Sequence, residues 1–206
     1  MANQEQLARL QQGADTWNAW RAAEPYIKID LSEADLSRTR LFRFNLSGAD
    51  LTGANLSGAD LYSVCLNKAS LRGANLRATQ MRFANLIRTD LTDADLSGAD
   101  LIHANLNGAN LSRANLREAT LTEAKLLRTN LREANLSRAN LNDAALCGAD
   151  LHGADLNRTT LYKANLSGAD LSNTKLNETI MLEVNFNDVD LTEVELTGAV
   201  YNWWPN

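Results

Sequence analysis

Large apolar residues recur at every fifth position of this chain from Leu31 onward, without a shift of frame. Leucine fills nearly all of these positions, and the four exceptions are also large and apolar: Met81, Met181, Phe186 and Tyr201. Two residues before each leucine stands a small or slim residue, usually alanine, with Phe44 as the bulky exception. The residue before the leucine and the two after it are mostly Asp, Asn, Ser, Arg or Gly.

A period of five fits neither a straight helix nor a straight strand. On an α-helix five residues turn through about 500°, so successive leucines would spread around the cylinder. On a straight strand an odd spacing sends successive leucines to opposite faces. A coil of four short extended sides joined by corners turns every leucine and its small neighbour inward. Stacking such coils pairs their backbone N–H and C=O groups, so the pattern predicts an all-β solenoid with a leucine core.

The run NLSGADLTGANLSGADL, from Asn45 to Leu61, resembles the A(D/N)LXX signature of pentapeptide repeat proteins. The similarity extends over residues 29–201. It implies a right-handed quadrilateral β-helix of about nine coils, with four pentads in each. The segment from Gly13 to Arg21 also resembles the leader found ahead of many bacterial pentapeptide repeats, especially cyanobacterial ones.

Residues 1–28 lack the pentad frame, and their pattern predicts a short helical cap on the first coil. Leu7 and Leu10 follow helical spacing, Gly13 interrupts the helix, and Pro25 ends a second one. A stacked solenoid needs such a cap because its first coil has an open edge. The cap residues expected at this end are aromatic: Trp17, Trp20 and Phe44.

Residues 202–206 form a C-terminal tail that is too short for a dimerising helix. Its Trp203 and Trp204 either cover the last coil or bind another chain. We therefore expect a monomer or a weak dimer.

Positions 20 apart share a side of the solenoid, and each side is named here by its first leucine. The Leu31 side carries ten outward acidic residues against three arginines, whereas the adjacent Leu46 side is basic. The candidate acidic surface consists of Asp50, Asp90, Asp93, Asp150, Asp170 and Asp190. These carboxylates either mimic the charge of duplex DNA or bond backbone N–H groups at their own corners, as Asn does elsewhere in the repeat.

The Leu41 side is unusual because its outward positions are apolar and aromatic. The candidate interaction residues on this side are Phe42, Tyr62, Phe83, Ile102, Tyr162 and Leu182. Coils stack about 5 Å apart, so Phe42 and Tyr62 should touch. The patch either stiffens the solenoid by ladder packing or binds a protein.

Composition and the inventory of reactive residues exclude most other chemistry. The net charge of −5 argues against direct binding of nucleic acid, and no stretch is long enough to span a membrane. The N-terminal sequence lacks a signal-peptide pattern, so we expect a cytoplasmic location. His103 and His152 lie on different sides, and Cys65 and Cys147 are too far apart for a disulfide. We expect no enzymatic activity, no cofactor and no metal.

Two functional hypotheses remain at this point. The first is a non-enzymatic scaffold that presents a rigid surface to a protein partner. The second is a duplex-DNA mimic that modulates DNA gyrase or another DNA-binding protein, as the resemblance allows, with the acidic Leu31 side as its surface. The resemblance also allows a regulatory role in cyanobacterial cell differentiation.

Overall fold

The computed structural model describes residues 2–192, 194 and 196–202. Two short helices precede the repeats: α1 (Gln4–Leu10) and α2 (Ala14–Ala23). The side chain of Asn3 caps α1 by accepting a hydrogen bond from the N–H of Gln6 at 3.1 Å. Gly13 separates the helices with a φ of 93°, which glycine adopts without steric cost. In the described part of the chain, neither helix has the length and apolar character needed to cross a lipid bilayer.

The rest of the described chain winds into a parallel β-solenoid. Parallel bridges join the residue before each leucine to the residue 20 positions further on, from Asp30 with Asp50 to Asn165 with Asn185. The final rung consists of two-residue strands, β1 (Ile180–Met181) and β2 (Val200–Tyr201), which also pair in parallel. Four such rungs in every 20 residues define the four sides of the coil.

Each side ends in a corner at the second residue after the leucine. All described residues at this position have a positive φ between 52° and 68°, including Arg128 at 52° and Gly153 at 68°. A turn bond follows each corner, as from the N–H of Ala114 to the C=O of Leu111 at 3.0 Å. The left-handed corner is what turns the next leucine inward again.

Leucine and alanine side chains form one continuous core. From Leu31 to Met181, every residue at a leucine position is at most 5% exposed. Threonine replaces alanine at some small positions, and its buried hydroxyl is satisfied. The Oγ1 of Thr89, for example, donates to the C=O of Leu66 at 2.8 Å.

The last coil departs from the expectation that every leucine position is buried. Phe186, Leu191 and Leu196 are half-buried, and Tyr201 is 37% exposed. The reason is that the described chain places no further coil on them. The predicted tail residues Trp203 and Trp204 lie outside the described residues.

At the other end, helix α2 lays Trp17 on the first coil. Its ring is fully buried, with its centroid 6.2 Å from that of Phe44 and 5.1 Å from that of Trp20. Its Nε1–H donates to the C=O of Asn45 at 2.8 Å. Trp20 is half-buried under the guanidinium of Arg9, 4.5 Å from the ring centroid. These aromatic contacts join the helices to the solenoid.

Candidate functional site: the outward sides of the solenoid

Four rings form a continuous aromatic ladder on the Leu41 side. The ring centroids of Phe42 and Tyr62 lie 5.6 Å apart, and those of Tyr62 and Phe83 lie 5.5 Å apart. Phe83 then stacks on the imidazole of His103 at 4.8 Å, with an interplanar angle of 21°. We call Phe42, Tyr62, Phe83 and His103 the aromatic ladder.

The ladder changes register halfway along the side. Phe42 and Tyr62 stand directly after their leucines, whereas Phe83 and His103 occupy the left-handed corner one residue later, with φ values of 58° and 57°. The ladder ends at Glu123, whose Oε2 lies 3.4 Å from Nδ1 of His103. The sequence reasoning left His103 out of this patch because it selected outward apolar and aromatic residues and considered the two histidines only as reactive groups. A histidine 20 residues after Phe83 was the available signal.

The six predicted interaction residues do not form one patch. Phe42, Tyr62 and Phe83 are between 37% and 49% exposed and lie together. Ile102, Tyr162 and Leu182 are half-buried, and the coils that carry Thr122 and Asn142 on this side interrupt the aromatic series.

Tyr162 belongs to a separate polar cluster. Its hydroxyl donates to Oε1 of Glu183 at 3.1 Å, and the Nζ of Lys163 lies 4.9 Å from its ring centroid. The same lysine also pairs with Glu183 at 3.7 Å. Tyr162 therefore belongs to a polar contact network that is separate from the aromatic ladder, where the guanidinium of Arg43 lies 5.0 Å from the ring centroid of Phe42.

Arginines pair with half of the predicted acidic residues on the Leu31 side. Asp90 contacts Arg72 at 3.2 Å, and Asp150 contacts Arg132 at 3.1 Å. Each pair joins the residue after one leucine to the residue before the leucine of the next coil, 18 positions on. Asp93 pairs instead with an arginine 20 positions on, Arg113, at 2.7 Å. The spacing of 18 residues between Arg and Asp is visible in the sequence, but counting the charges on each side of the solenoid did not use it.

The acidic side chains also bond their own corners. The Oδ1 of Asp170 accepts the backbone N–H of Ser172 at 2.9 Å, and Asp190 accepts that of Thr192 at the same distance. Asp50, Asp90 and Asp150 make the equivalent bond to the residue two positions later. Asn110 bonds the N–H of Ser112 in the same way, at 3.1 Å, so corner bonding does not require the charge.

Hydrogen bonds keep several of these carboxylates ionised. The side chain and backbone of Ser172 lower the pKa of Asp170 from its ordinary value, and those of Thr192 lower the pKa of Asp190. The bond from Arg113 lowers the pKa of Asp93. Burial acts to raise the pKa of Asp90, but bonds from Thr92 and Arg72 outweigh it and leave it lowered. Hydrogen bonds at their own corners are therefore the main influence on the ionisation of Asp170 and Asp190.

Comparison with known families decides which class of solenoid this is. The family model for pentapeptide repeats, which spans eight copies, matches residues 29–67, 54–93, 94–132, 124–161, 139–178 and 164–200. The chain belongs to the pentapeptide repeat family. A comparison with curated proteins found no significant match.

Several solved pentapeptide repeat structures are similar to this chain. HetL from the cyanobacterium Nostoc sp. strain PCC 7120, involved in heterocyst differentiation regulation, is 38% identical over 83% of this chain and 82% of its own, with a TM-score of 0.41. QnrB1, a plasmid-mediated fluoroquinolone resistance protein, is 15% identical over 85% and 93%, with a TM-score of 0.41. Rfr23 from the cyanobacterium Cyanothece 51142 is 23% identical over 92% and 100%, with a TM-score of 0.24.

The described part of this pentapeptide repeat protein shows no concentrated reactive chemistry. No group of three or more His, Cys, Asp or Glu side chains among the described residues is arranged to hold a metal ion. Cys65 and Cys147 are half-buried free thiols. The Sγ of Cys65 lies 2.8 Å from Oδ1 of Asn67, so this thiol takes part in the corner bonding.

Proposed function

We propose that this pentapeptide repeat protein is a non-enzymatic scaffold that binds a protein partner through the aromatic ladder. The observation that carries the proposal is the contiguous stack of rings from Phe42 to His103, in which Phe42, Tyr62 and Phe83 are exposed. Exposed aromatic clusters are typical of protein interfaces, where a few such residues supply most of the affinity. We propose that the free protein is a monomer or a weak dimer.

The geometry of the aromatic ladder also favours binding over a purely internal role. Each ring is attached to a rigid coil, so little conformational entropy is lost when a partner covers it. Packing of one ring on the next stabilises the free protein by about 0.5–1.5 kcal/mol per pair. The outer edges of the rings stay exposed in this arrangement. The exposed edges of Phe42, Tyr62 and Phe83 remain available to a partner.

The test removes the rings with residues that the repeat itself uses at the same positions. The variant Phe42→Ser, Tyr62→Ser and Phe83→Asn places serine directly after two leucines and asparagine at a corner. Asparagine already occupies a corner at Asn173. The matched control is Tyr26→Ser with Leu127→Ser, which removes exposed apolar area elsewhere. Quantitative affinity purification from a lysate of the source organism should show partners held by the wild type and the control. These partners should drop about tenfold or more with the ladder variant. Equal capture by all three proteins contradicts the proposal.

The alternative is a DNA mimic that modulates DNA gyrase or another DNA-binding protein. One observation favours it: neither Asp170 nor Asp190 forms a salt bridge in the described part of the chain, although the charge of Arg132 helps to lower the pKa of Asp170, and the lowered pKa values keep both residues charged. The arginine pairs of Asp90 and Asp150 count against it, because they divide the acidic surface. A gyrase supercoiling assay tests it. A mimic inhibits or protects at micromolar protein, and changing Asp150, Asp170 and Asp190 to Asn removes that effect.

We also propose the right-handed sense of coiling that the family resemblance implies. Crossover connections between parallel strands are right-handed in nearly all proteins, for reasons of strand twist. A crystal structure with a left-handed coil would overturn this part of the proposal.

A further inference from the structure

The Leu46 side carries cations that have no carboxylate partner. Lys68, Arg88 and Arg128 stand at corners of this side, and Lys125 stands directly before a leucine; all four side chains are exposed. None of them forms an ion pair among the described residues. The one acidic residue at an outward position of this side, Asp188, lies three coils beyond Arg128. We call Lys68, Arg88, Lys125 and Arg128 the basic row.

Corners on the other three sides pair opposite charges from one coil to the next. Each of those sides has a corner cation that contacts a carboxylate at the corner one coil away. These pairs are Arg113 with Asp93 at 2.7 Å, Arg158 with Glu178 at 3.0 Å, and Lys163 with Glu183 at 3.7 Å. On the Leu46 side, Lys68 is followed one coil later by Arg88, so two like charges stack about 5 Å apart in coil spacing.

Glycine corners leave the arginines of the basic row without a neighbour that could neutralise them. A Cβ at Gly108 would lie 3.6 Å from Cγ of Arg88, and a Cβ at Gly148 would lie 3.6 Å from Cγ of Arg128. The stem of each arginine therefore lies over the glycine of the next coil, where no side chain can pair with it. Both guanidinium groups are available to a partner outside the chain.

Asparagine keeps carboxylates off the Leu46 side while preserving the corner bonds. The position before the leucine is never Asp on this side, and it is usually Asn. The Oδ1 of Asn85 accepts the N–H of Ile87 at 3.2 Å, and that of Asn165 accepts the N–H of Ser167 at 3.1 Å. These neutral amides make the bond that Asp170 makes on the Leu31 side. The charge of the basic row is therefore not cancelled on its own side.

The basic row and the aromatic ladder lie on adjacent sides at the same height. Phe83 and His103 stand at corners where the Leu41 side ends and the Leu46 side begins. Tyr62 and Lys68 belong to one coil, and Phe83 and Arg88 belong to the next. The change of register within the ladder thus brings its rings to the edge that borders the basic side.

The shape and the apolar content of this surface favour a protein as its occupant. Leu127, which is 46% exposed, and the half-buried Ile87 lie between that edge and the corner cations. An aromatic and apolar centre with arginine and a polar rim is typical of protein interfaces. Four corners close each coil, so the two sides meet at about a right angle. A flat bilayer or a straight duplex can cover only one of them, whereas a concave protein surface can cover both.

We propose that the protein partner of the aromatic ladder crosses this edge and is acidic where it does so, with carboxylates that pair with the basic row. This inference rests on the proposed function and names the chemistry of its partner. The buried rings supply most of the affinity, while complementary charge speeds association and selects among partners. A basic protein that fits the rings is rejected by the same cations.

The first experiment isolates the charge requirement. The probe is labelled poly-L-glutamate, mixed with the full chain and followed by fluorescence anisotropy. We expect saturable binding that weakens as salt is added, because exposed charges are screened. The row variant, Lys68→Glu with Arg88→Glu, should weaken binding about tenfold or more. Glutamate already occupies corners at Glu118 and Glu178, so the melting temperature should be close to that of the wild type.

The matched control makes the same change of charge on the opposite Leu36 side. It is Arg38→Glu with Lys175→Glu, and both of these exposed residues lack an ion pair in the described part of the chain. Its affinity for poly-L-glutamate should differ from that of the wild type by less than about threefold. Absence of saturable binding to the wild type, or equal loss in the row variant and the control, overturns the proposal.

The second experiment asks whether the basic row and the aromatic ladder serve one partner. Proteins captured by the wild type and lost with the ladder variant should be displaced by excess poly-L-glutamate. Their capture should drop about tenfold or more with the row variant and stay unchanged with the Leu36-side control. Full capture of these proteins by the row variant overturns this inference and leaves the proposed function standing. Capture that needs the basic row but not the rings overturns the proposed function, and with it the claim that one partner covers both surfaces.

Two other anionic probes would identify a different occupant. Duplex DNA and phosphatidylglycerol vesicles are offered to the wild type and the row variant in the same buffer. We expect both to bind the wild type more weakly than poly-L-glutamate does. Tighter binding of either probe that the row variant loses assigns the basic row to a nucleic acid or to a membrane surface, and overturns the proposal.

Discussion

The left-handed corner is the residue-scale feature on which the fold depends. Many corners hold residues other than glycine, such as Ala78 at a φ of 53° and Arg138 at 61°. This conformation costs an L-residue about 1 kcal/mol or more, because Cβ approaches the carbonyl oxygen. The N–H of most corner residues offsets part of this cost by donating to a C=O of the next coil, as that of Arg138 does to Asn157 at 2.9 Å.

A matched pair of corner substitutions tests this cost. A Cβ at Gly168 would meet no atom within 4 Å, so Gly168→Ala changes only backbone strain, at a φ of 63°. We expect Gly168→Ala to lower the free energy of unfolding by about 1 kcal/mol and Ala78→Gly to raise it by a similar or smaller amount. Urea denaturation followed by circular dichroism measures both. If Gly168→Ala raised the free energy of unfolding and Ala78→Gly lowered it, backbone strain at the corner would not explain the stability of these variants.

The inward leucine is the other residue on which the fold depends. Leu116 is fully buried in the middle of the core. Leu116→Lys places an unpaired charge there and should prevent folding, whereas Leu116→Met keeps the volume and should cost less than about 1.5 kcal/mol. Solubility and melting curves of the two variants give the measurement. A soluble Leu116→Lys protein with an unchanged melting curve would contradict the register.

At the scale of elements, the sequence predicted what depends on periodicity and local chemistry. Helical spacing and Gly13 indicated two helices before the repeats, and the bulk of Phe44 indicated a partner at the first coil. The ring centroids of Trp17 and Phe44 lie 6.2 Å apart. The ladder member His103 and the pairing of Asp90 with Arg72 escaped the sequence reasoning. Both contacts depend on the exact position of each residue within its pentad. A count of residues by side does not distinguish these positions.

Trp17 is the cap residue with the largest expected effect on stability. It is fully buried, and its indole N–H holds the C=O of Asn45 at 2.8 Å. Trp17→Phe should cost about 1 kcal/mol or more through the lost hydrogen bond, and Trp17→Ala about 3–5 kcal/mol through the cavity as well. Light scattering should also detect aggregation of Trp17→Ala, because the first edge is exposed. Equal stability of all three proteins would show that the cap is dispensable.

At the scale of the whole molecule, the coils stack through one core, while the charges sit outside it on separate sides. Sequence counting predicts an unequal division of charge among the sides, since outward positions follow from the frame. It did not predict the half-covered first edge. That edge depends on the path of the two helices, which reach the Leu31 and Leu46 sides and leave the backbone groups of Asp35 and Arg40 unpaired in the described part of the chain.

Two partly buried carboxylates, Asp90 on the Leu31 side and Asp95 on the Leu36 side, make the stability of the whole solenoid dependent on pH. Burial acts to raise the pKa of Asp90 and of Asp95, but bonds from Thr92 and Ser97 and the nearby Arg72 and Arg77 outweigh it, so both pKa values are lowered. Carboxylates with a pKa lower in the folded than in the unfolded chain stabilise the fold above the unfolded value of about 3.9. This stabilisation is lost as the pH falls from there through the folded pKa.

We therefore expect the free energy of unfolding to be constant above about pH 5 with respect to these two groups and to fall below about pH 4. Each contributes less than about 1 kcal/mol, because both side chains remain partly exposed to screening solvent. The double variant Asp90→Asn and Asp95→Asn retains an amide oxygen for the corner bond, as Asn110 does, but loses the charge. It should be less stable than the wild type at pH 7 and should lose less stability between pH 5 and pH 2. Urea denaturation across this range measures the difference, and parallel pH profiles for the two proteins would show that these carboxylates do not cause the acid sensitivity.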